Sequence, residues 1–448
     1  AGLSSQQLVD LSTTTLKNLA SSQIAAIETT DISALTTVQL RALNTSHLNA
    51  LTIGQILVLT SDQLASLSSS AVAALTTDNL VALDSPGLNF LDAASFVGFS
   101  GTQVASLTTI QTAALSTDAI AALNTITVGS LTTAQIAALT TDQAAYLTTA
   151  TVKALTTTQI AAMEGEDIAL LASNNLAVFS SVQLQAITTT QIGSLTSQQL
   201  VDMSTSMLKS LTTWQIAAIV SGYVSALTTE QLLSLNTQHI QSLTTDQVAF
   251  LTSDHLANLT TISLAVLSAN QIAQLSTDAL GAISTEGIAL LSTSQIVGLT
   301  TTQMASLSSS AFSTLNTKQI AALETSDFVV LSVENIGLLT AFQTRGLTTA
   351  QVSQLTTDAV AGLSTLAVAA LNTVQVASLS TTQVASLNSI TVSALTTRQI
   401  AALETRDVAV LTPDNLTIFS DAQIQALSTA QIAALTTSQL DSFSTEHM

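Results

Sequence analysis

The sequence has no cysteine, two prolines, fifteen glycines and only eight Lys plus Arg among 448 residues. Without cysteine there are no disulfides or thiolate metal sites, and the redox compartment stays open between secreted and cytosolic. So little proline and glycine excludes a collagen-like chain or a flexible linker. The eight basic residues face 28 acidic ones, a net charge of -20. A chain this poor in Lys and Arg lacks the basic footprint that nucleic-acid binding requires. Charged residues are 8% and aromatics 3%, where an average soluble domain is about 25% charged. Low charge with 47% hydrophobic content also excludes disorder driven by charge. Thr, Ser or Gln interrupts each apolar run before it reaches the roughly 18 residues of a membrane span. The chain opens on Ala1 with no signal-peptide pattern, which leaves room for an N-terminal segment ahead of it.

What the chain does have is a repeat of eight. Stepping by eight from Leu3 through Leu11, Leu19, Ile27 and Leu35 to Phe443 gives 56 sites, and each is Leu, Ile, Met or Phe. No insertion or deletion breaks the phase, so residues 1–448 read as one continuous array of 56 octads. With these sites as position 1, position 6 is also large and apolar, as in Leu8, Leu16 and Ile24; Ala144, Thr112 and Thr344 are exceptions. Positions 7 and 8 are mostly Ala, Ser or Gly, positions 2 and 3 mostly Thr or Ser, and position 5 often Gln. Leu131-Thr132-Thr133-Ala134-Gln135-Ile136-Ala137-Ala138 is a typical unit.

Such an octad spells a helix start. With position 2 as N-cap, position 5 is N3, and Thr-x-x-Gln forms a capping box. Positions 1 and 6 are then N′ and N4, the two halves of a hydrophobic staple. Pro413 falls at N1, where proline is favoured. Asp62, Asp78, Asp118 and Asp142 fall at N2, where a negative charge complements the helix dipole. The helix runs about six residues before the next cap, and one so short is not stable alone. The expected fold is therefore all-α, a solenoid of very short capped helices. Positions 1 and 6 form its core, small residues at 7 and 8 let backbones approach, and Thr, Ser and Gln lie outside. A β-solenoid is the competitor, because Thr and Ile favour strands. Ala and Gln favour helix, and apolar spacings of five then three do not alternate strictly. The number of octads per coil is not given by the pattern.

A longer period of about 80 residues is superposed. Gln159-Ile160-Ala161-Ala162-Met163-Glu164 recurs as Gln319-Ile320-Ala321-Ala322-Leu323-Glu324 and as Gln399-Ile400-Ala401-Ala402-Leu403-Glu404. Each copy continues to an Asp, giving the pairs Glu164/Asp167, Glu324/Asp327 and Glu404/Asp407, with Glu28/Asp31 a fourth. The following octads carry Asn174 and Asn175, Glu334 and Asn335, or Asp414 and Asn415. Carboxylate and amide oxygens are what a Ca²⁺ ion takes, so these pairs are the candidate metal residues. The alternative, which we take, is a variant cap with acids at the positive helix end and no cofactor. The four histidines, His47, His239, His255 and His447, all stand at position 5 and read as outward-facing substitutes for Gln. Trp214, at position 4, is expected to face solvent. No nucleophile motif, phosphate loop or HExxH is present, so an enzyme is not expected.

The iterated Leu-Thr-Thr-x-Gln-Ile-Ala-Ala unit resembles the octapeptide arrays of very large, repetitive bacterial secreted and cell-surface proteins of adhesin-like type. That resemblance spans the whole chain, supplies no catalytic or binding residues, and implies an extracellular structural role as fibre, filament, stalk or surface layer. A binding module is the alternative, with Thr, Ser and Gln rows presented to a glycan or to ice. The implied partners are further copies of the chain or a continuation of the array. Joining the ends gives the in-phase octad Phe443-Ser444-Thr445-Glu446-His447-Met448-Ala1-Gly2, which is what head-to-tail stacking requires.

Overall fold

The computed structural model describes residues 4–443. Among them the chain forms 54 α-helices of four to six residues and one 3₁₀ helix, and no strand. The all-α expectation holds, as does the octad boundary. Thr133–Ala137, for example, begins at position 3 behind the N-cap Thr132. Both halves of the predicted box are made: the Gln135 amide donates to Thr132 Oγ1 at 3.2 Å, and the Thr132 amide donates to Gln135 Oε1 at 2.8 Å. Pro413 opens its helix, Pro413–Thr417, as expected.

The chain divides into two compact units, Ala1–Val220 and Ser221–Met448. The second begins with the 3₁₀ helix, Ser221–Ala226. Its octad has Val220 in the cap position, Gly222 in the first turn and Tyr223 where the box glutamine belongs. A side chain with no capping oxygen and a helix-weakening glycine explain why this octad does not close an α-turn.

Within each unit the helices wind into a solenoid. Gly101–Ser106 lies against Thr125–Ser130 in the first unit, and Ala341–Gly346 against Thr365–Ala370 in the second, in both cases three octads on. Side-chain hydrogen bonds between coils join residues 25 to 31 apart, so one coil takes between three and four octads. The core is the predicted column. Position 6 residues such as Ile136 and Ile320 are fully buried, and position 1 residues such as Leu131 and Leu323 nearly so. Each such side chain contributes about 1.5–3 kcal/mol by leaving water. Thr112 and Thr344 fit at position 6 because each hydroxyl donates to the carbonyl four residues back, at 3.0 Å. Small residues at position 8 set the coil spacing. A Cβ on Gly98 would collide with the Ser69 backbone, and one on Gly346 would lie 2.7 Å from the Thr317 carbonyl oxygen.

One expectation fails. Position 5 is not outside: Gln135, Gln247 and Gln319 are at most 2% exposed, and from Gln39 onward the described position 5 residues are buried except Ala71, Tyr223 and Ser263. The helical wheel puts N3 beside N4, and a coil of fewer than four octads brings the next layer over both.

Candidate functional site

The position 1 residue links two helices in extended conformation, as at Leu107 with φ -60° and ψ 142°. Its carbonyl points out of the helical hydrogen-bond pattern, and no backbone amide donates to that of Leu11 or Leu107. A buried carbonyl without a donor costs about 1–3 kcal/mol. The Gln one coil later supplies it: Gln135 Nε2 donates to the Leu107 carbonyl at 2.6 Å and to the Val104 carbonyl at 2.8 Å. In the second unit Gln351 does the same for Leu323 and Ile320, at 2.7 and 2.9 Å. Each Gln thus caps its own helix with Oε1 and ties the preceding coil with Nε2.

Substitutes obey the same rule. Asn79, Asn175 and Asn415 each donate to the carbonyl 28 residues back. His47 and His255 are buried, contrary to their expected outward position, because the imidazole copies the carboxamide. Nδ1 of His255 accepts from the Thr252 amide at 3.2 Å while Nε2 lies 2.8 Å from the Leu227 carbonyl. His47 pairs likewise with Asn44 and Leu19, and these partners fix the Nε2–H tautomer in both rings. His239 is buried at the same position. His447 lies outside the described residues, as does most of the end-joining octad.

The acidic pairs separate. Glu164, Glu324 and Glu404 are exposed and make no cap bond, while Asp167, Asp327 and Asp407 occupy position 5 and are buried. Asp327 accepts from the Glu324 amide at 2.9 Å, and Asp167 from the Glu164 amide at 3.4 Å. The other half of the Gln function is missing, because a carboxylate has no donor for the coil beneath. Asp167 Oδ1 and Asp407 Oδ2 have no partner. Burial, then the charges of Glu164 and Glu166, push the Asp167 carboxyl up to about 6 against the pull of the Glu164 amide. Burial likewise raises Asp327 and Asp407. Asp407 also accepts from Thr381 Oγ1 at 3.1 Å and lies 4.0 Å from Arg406, which pairs more closely with Glu404 at 2.6 Å. Asp31, the fourth, accepts from Ser5 Oγ at 2.5 Å. The amides of Asn175 and Asn415 are committed to Leu147 and Leu387. Among the described residues no three His, Asp or Glu side chains stand close enough to share a metal ion.

Trp214 is 77% exposed, as expected. A polar recess lined by Arg41, Ser66, Ser70, Asp92 and Ser95 opens in the first unit, where position 5 is Ala71 and Ser95, both too short to fill it. No described helix is long and apolar enough to cross a membrane.

The fold and its internal ladder define a class: an all-helical octad-repeat solenoid whose coils are joined by side chains at one fixed position. The ALTTAQ repeat family model matches residues 24–61, 113–149, 160–197, 224–261, 320–357 and 400–437, a little over half of the chain. The chain belongs to the ALTTAQ repeat family, and is a repetitive structural protein. No curated protein matches it.

Proposed function

We propose that the chain is a secreted bacterial structural element, a stretch of fibre, stalk or surface layer that does its work by length, with no catalysis and no cofactor of its own. The observation that carries this is one inter-coil bond repeated through both units, Gln135 to Leu107 in the first and Gln351 to Leu323 in the second. Repetition of a single bond set builds length, and further octads, or another copy set head to tail, extend it by the same contacts.

Electron microscopy and light scattering of the purified chain test this reading. Elongated end-to-end assemblies are expected, and Leu440→Lys, which charges one end row, is expected to stop them. A chain that stays a single particle at high concentration overturns the reading.

A further inference from the structure

Position 4 points outward from each helix, and along the array it is usually Asp, Thr, Ser or Ala. One column in the second unit departs from this. The helices Thr317–Ala322, Ala341–Gly346, Thr365–Ala370, Ser389–Ser393 and Pro413–Thr417 stack in succession, each against the next. At position 4 they carry Lys318, Phe342, Leu366, Ile390 and Asp414. The middle three are 72%, 74% and 66% exposed, and both charged residues are exposed. Large apolar residues at this position elsewhere can stand alone: Ile126 has Thr102 and Ala150 in the same place on the helices stacked beside it.

We infer that this column is where a second copy of the chain docks, antiparallel, about a twofold axis at Leu366. The order of the five residues is what selects the occupant. Turned end for end, the column lays Phe342 on Ile390 of the second copy, Leu366 on its own counterpart and Lys318 on Asp414. A parallel pairing would set Lys on Lys and Asp on Asp, which repel. A twofold contact needs such a self-complementary patch. Stacked helices lie about 8–10 Å apart, so the three apolar side chains make a strip about 20 Å long. That is a small interface, and the pairing is correspondingly weak and transient. It joins copies side by side, and so goes beyond the end-to-end contacts proposed above.

A covalent trap suits so weak a contact. The chain has no cysteine, so Leu366→Cys introduces a single thiol on the proposed axis, where its counterpart comes within disulfide reach. Mild oxidation should give disulfide-linked dimers several-fold faster than with Trp214→Cys, an equally exposed site off the column. Adding Phe342→Asp to Leu366→Cys should remove the advantage. Lys318→Asp in the Leu366→Cys background should slow trapping, and adding Asp414→Lys should restore it. Both positions are exposed, so the variants keep their helical circular dichroism. Leu440→Lys, which blocks end contacts, should leave the trapping rate unchanged. Equal rates for the two thiols, or no rescue by the paired charge exchange, would overturn the proposal.

Discussion

Gln135 Nε2 stands 2.6 Å from the carbonyl oxygen of Leu107, twenty-eight residues earlier. The helix that Gln135 caps and the coil that it ties therefore depend on one side chain. Gln135→Ala should cost roughly 2–4 kcal/mol, because a cap amide and two buried carbonyls lose their partner. Gln135→His should recover most of it, since His255 and His47 already do the same work. Gln198→Ala, at an exposed position 4, should change stability by under about 0.5 kcal/mol. Chemical denaturation of the three variants checks the order; equal losses at 135 and 198 would contradict the buried ladder.

Asp167 gives a pH dependence of unusual sign. Its folded carboxyl titrates near 6 against an ordinary 3.8, so the folded state holds the proton more tightly than the unfolded one. Its contribution to stability is full below about pH 4 and is lost as the pH rises through 6. Asp167→Gln, which restores a ladder donor, should raise the melting temperature at pH 7.5, removing a penalty of roughly 1–3 kcal/mol for an unpaired buried oxygen. Near pH 4 the variant and the parent should differ far less. A gain of the same size at both pH values would exclude the carboxylate as its source. If calcium were bound by the acidic pairs, chelation would lower the melting temperature of the parent; no shift is expected.

Glycine substitutions separate close approach from open surface. Gly98→Ala drives a methyl into the Ser69 backbone and should destabilise the first unit, with faster amide exchange in the coils on either side. A methyl on Gly281, at the end of the helix Thr277–Gly281, would meet nothing within 4 Å. Gly281→Ala should therefore stabilise by about 0.5–1 kcal/mol. Thermal melts of the pair should move in opposite directions.

Leu235→Ala should cost about 2–5 kcal/mol, because position 1 is buried on all sides and its neighbours are themselves tied down. Leu235 is 6% exposed, whereas Trp214 is 77% exposed. Trp214→Ala should be close to neutral. Urea unfolding distinguishes them, and a larger loss at Trp214 would contradict the core assignment.

The pattern of Thr132, Gln135 and Ile136 makes the local structure legible, because cap, box and staple are relations within one octad. Position 5 is misplaced by the same reasoning. Sequence spacing shows that Gln135 can reach the Thr132 amide; it does not show that the carboxamide nitrogen has a second duty 28 residues away. Only the coil length reveals that, and no residue within the octad encodes it. A signal is nevertheless present: His, Asn and Gln share an acceptor and a donor at similar reach, and a solvent-facing cap has no need of the donor. The acidic pairs do stand at helix starts, as their spacing implies, but Glu164 and Asp167 look equivalent in sequence, and burial separates them.

The inter-coil bonds described for Gln, Asn and His at position 5 all run one way: the donor comes later in the chain and the acceptor earlier. A polypeptide that emerges N-terminus first therefore always presents finished acceptors to unfinished chain. Each new octad brings the side chain that fastens it, and needs nothing still to be made beyond the next few octads. Loop closure stays near 28 residues however long the array becomes, so its entropic cost does not grow with length. Such a molecule can be completed in the order it is threaded through a narrow exit, coil upon coil, with no waiting for a distant partner.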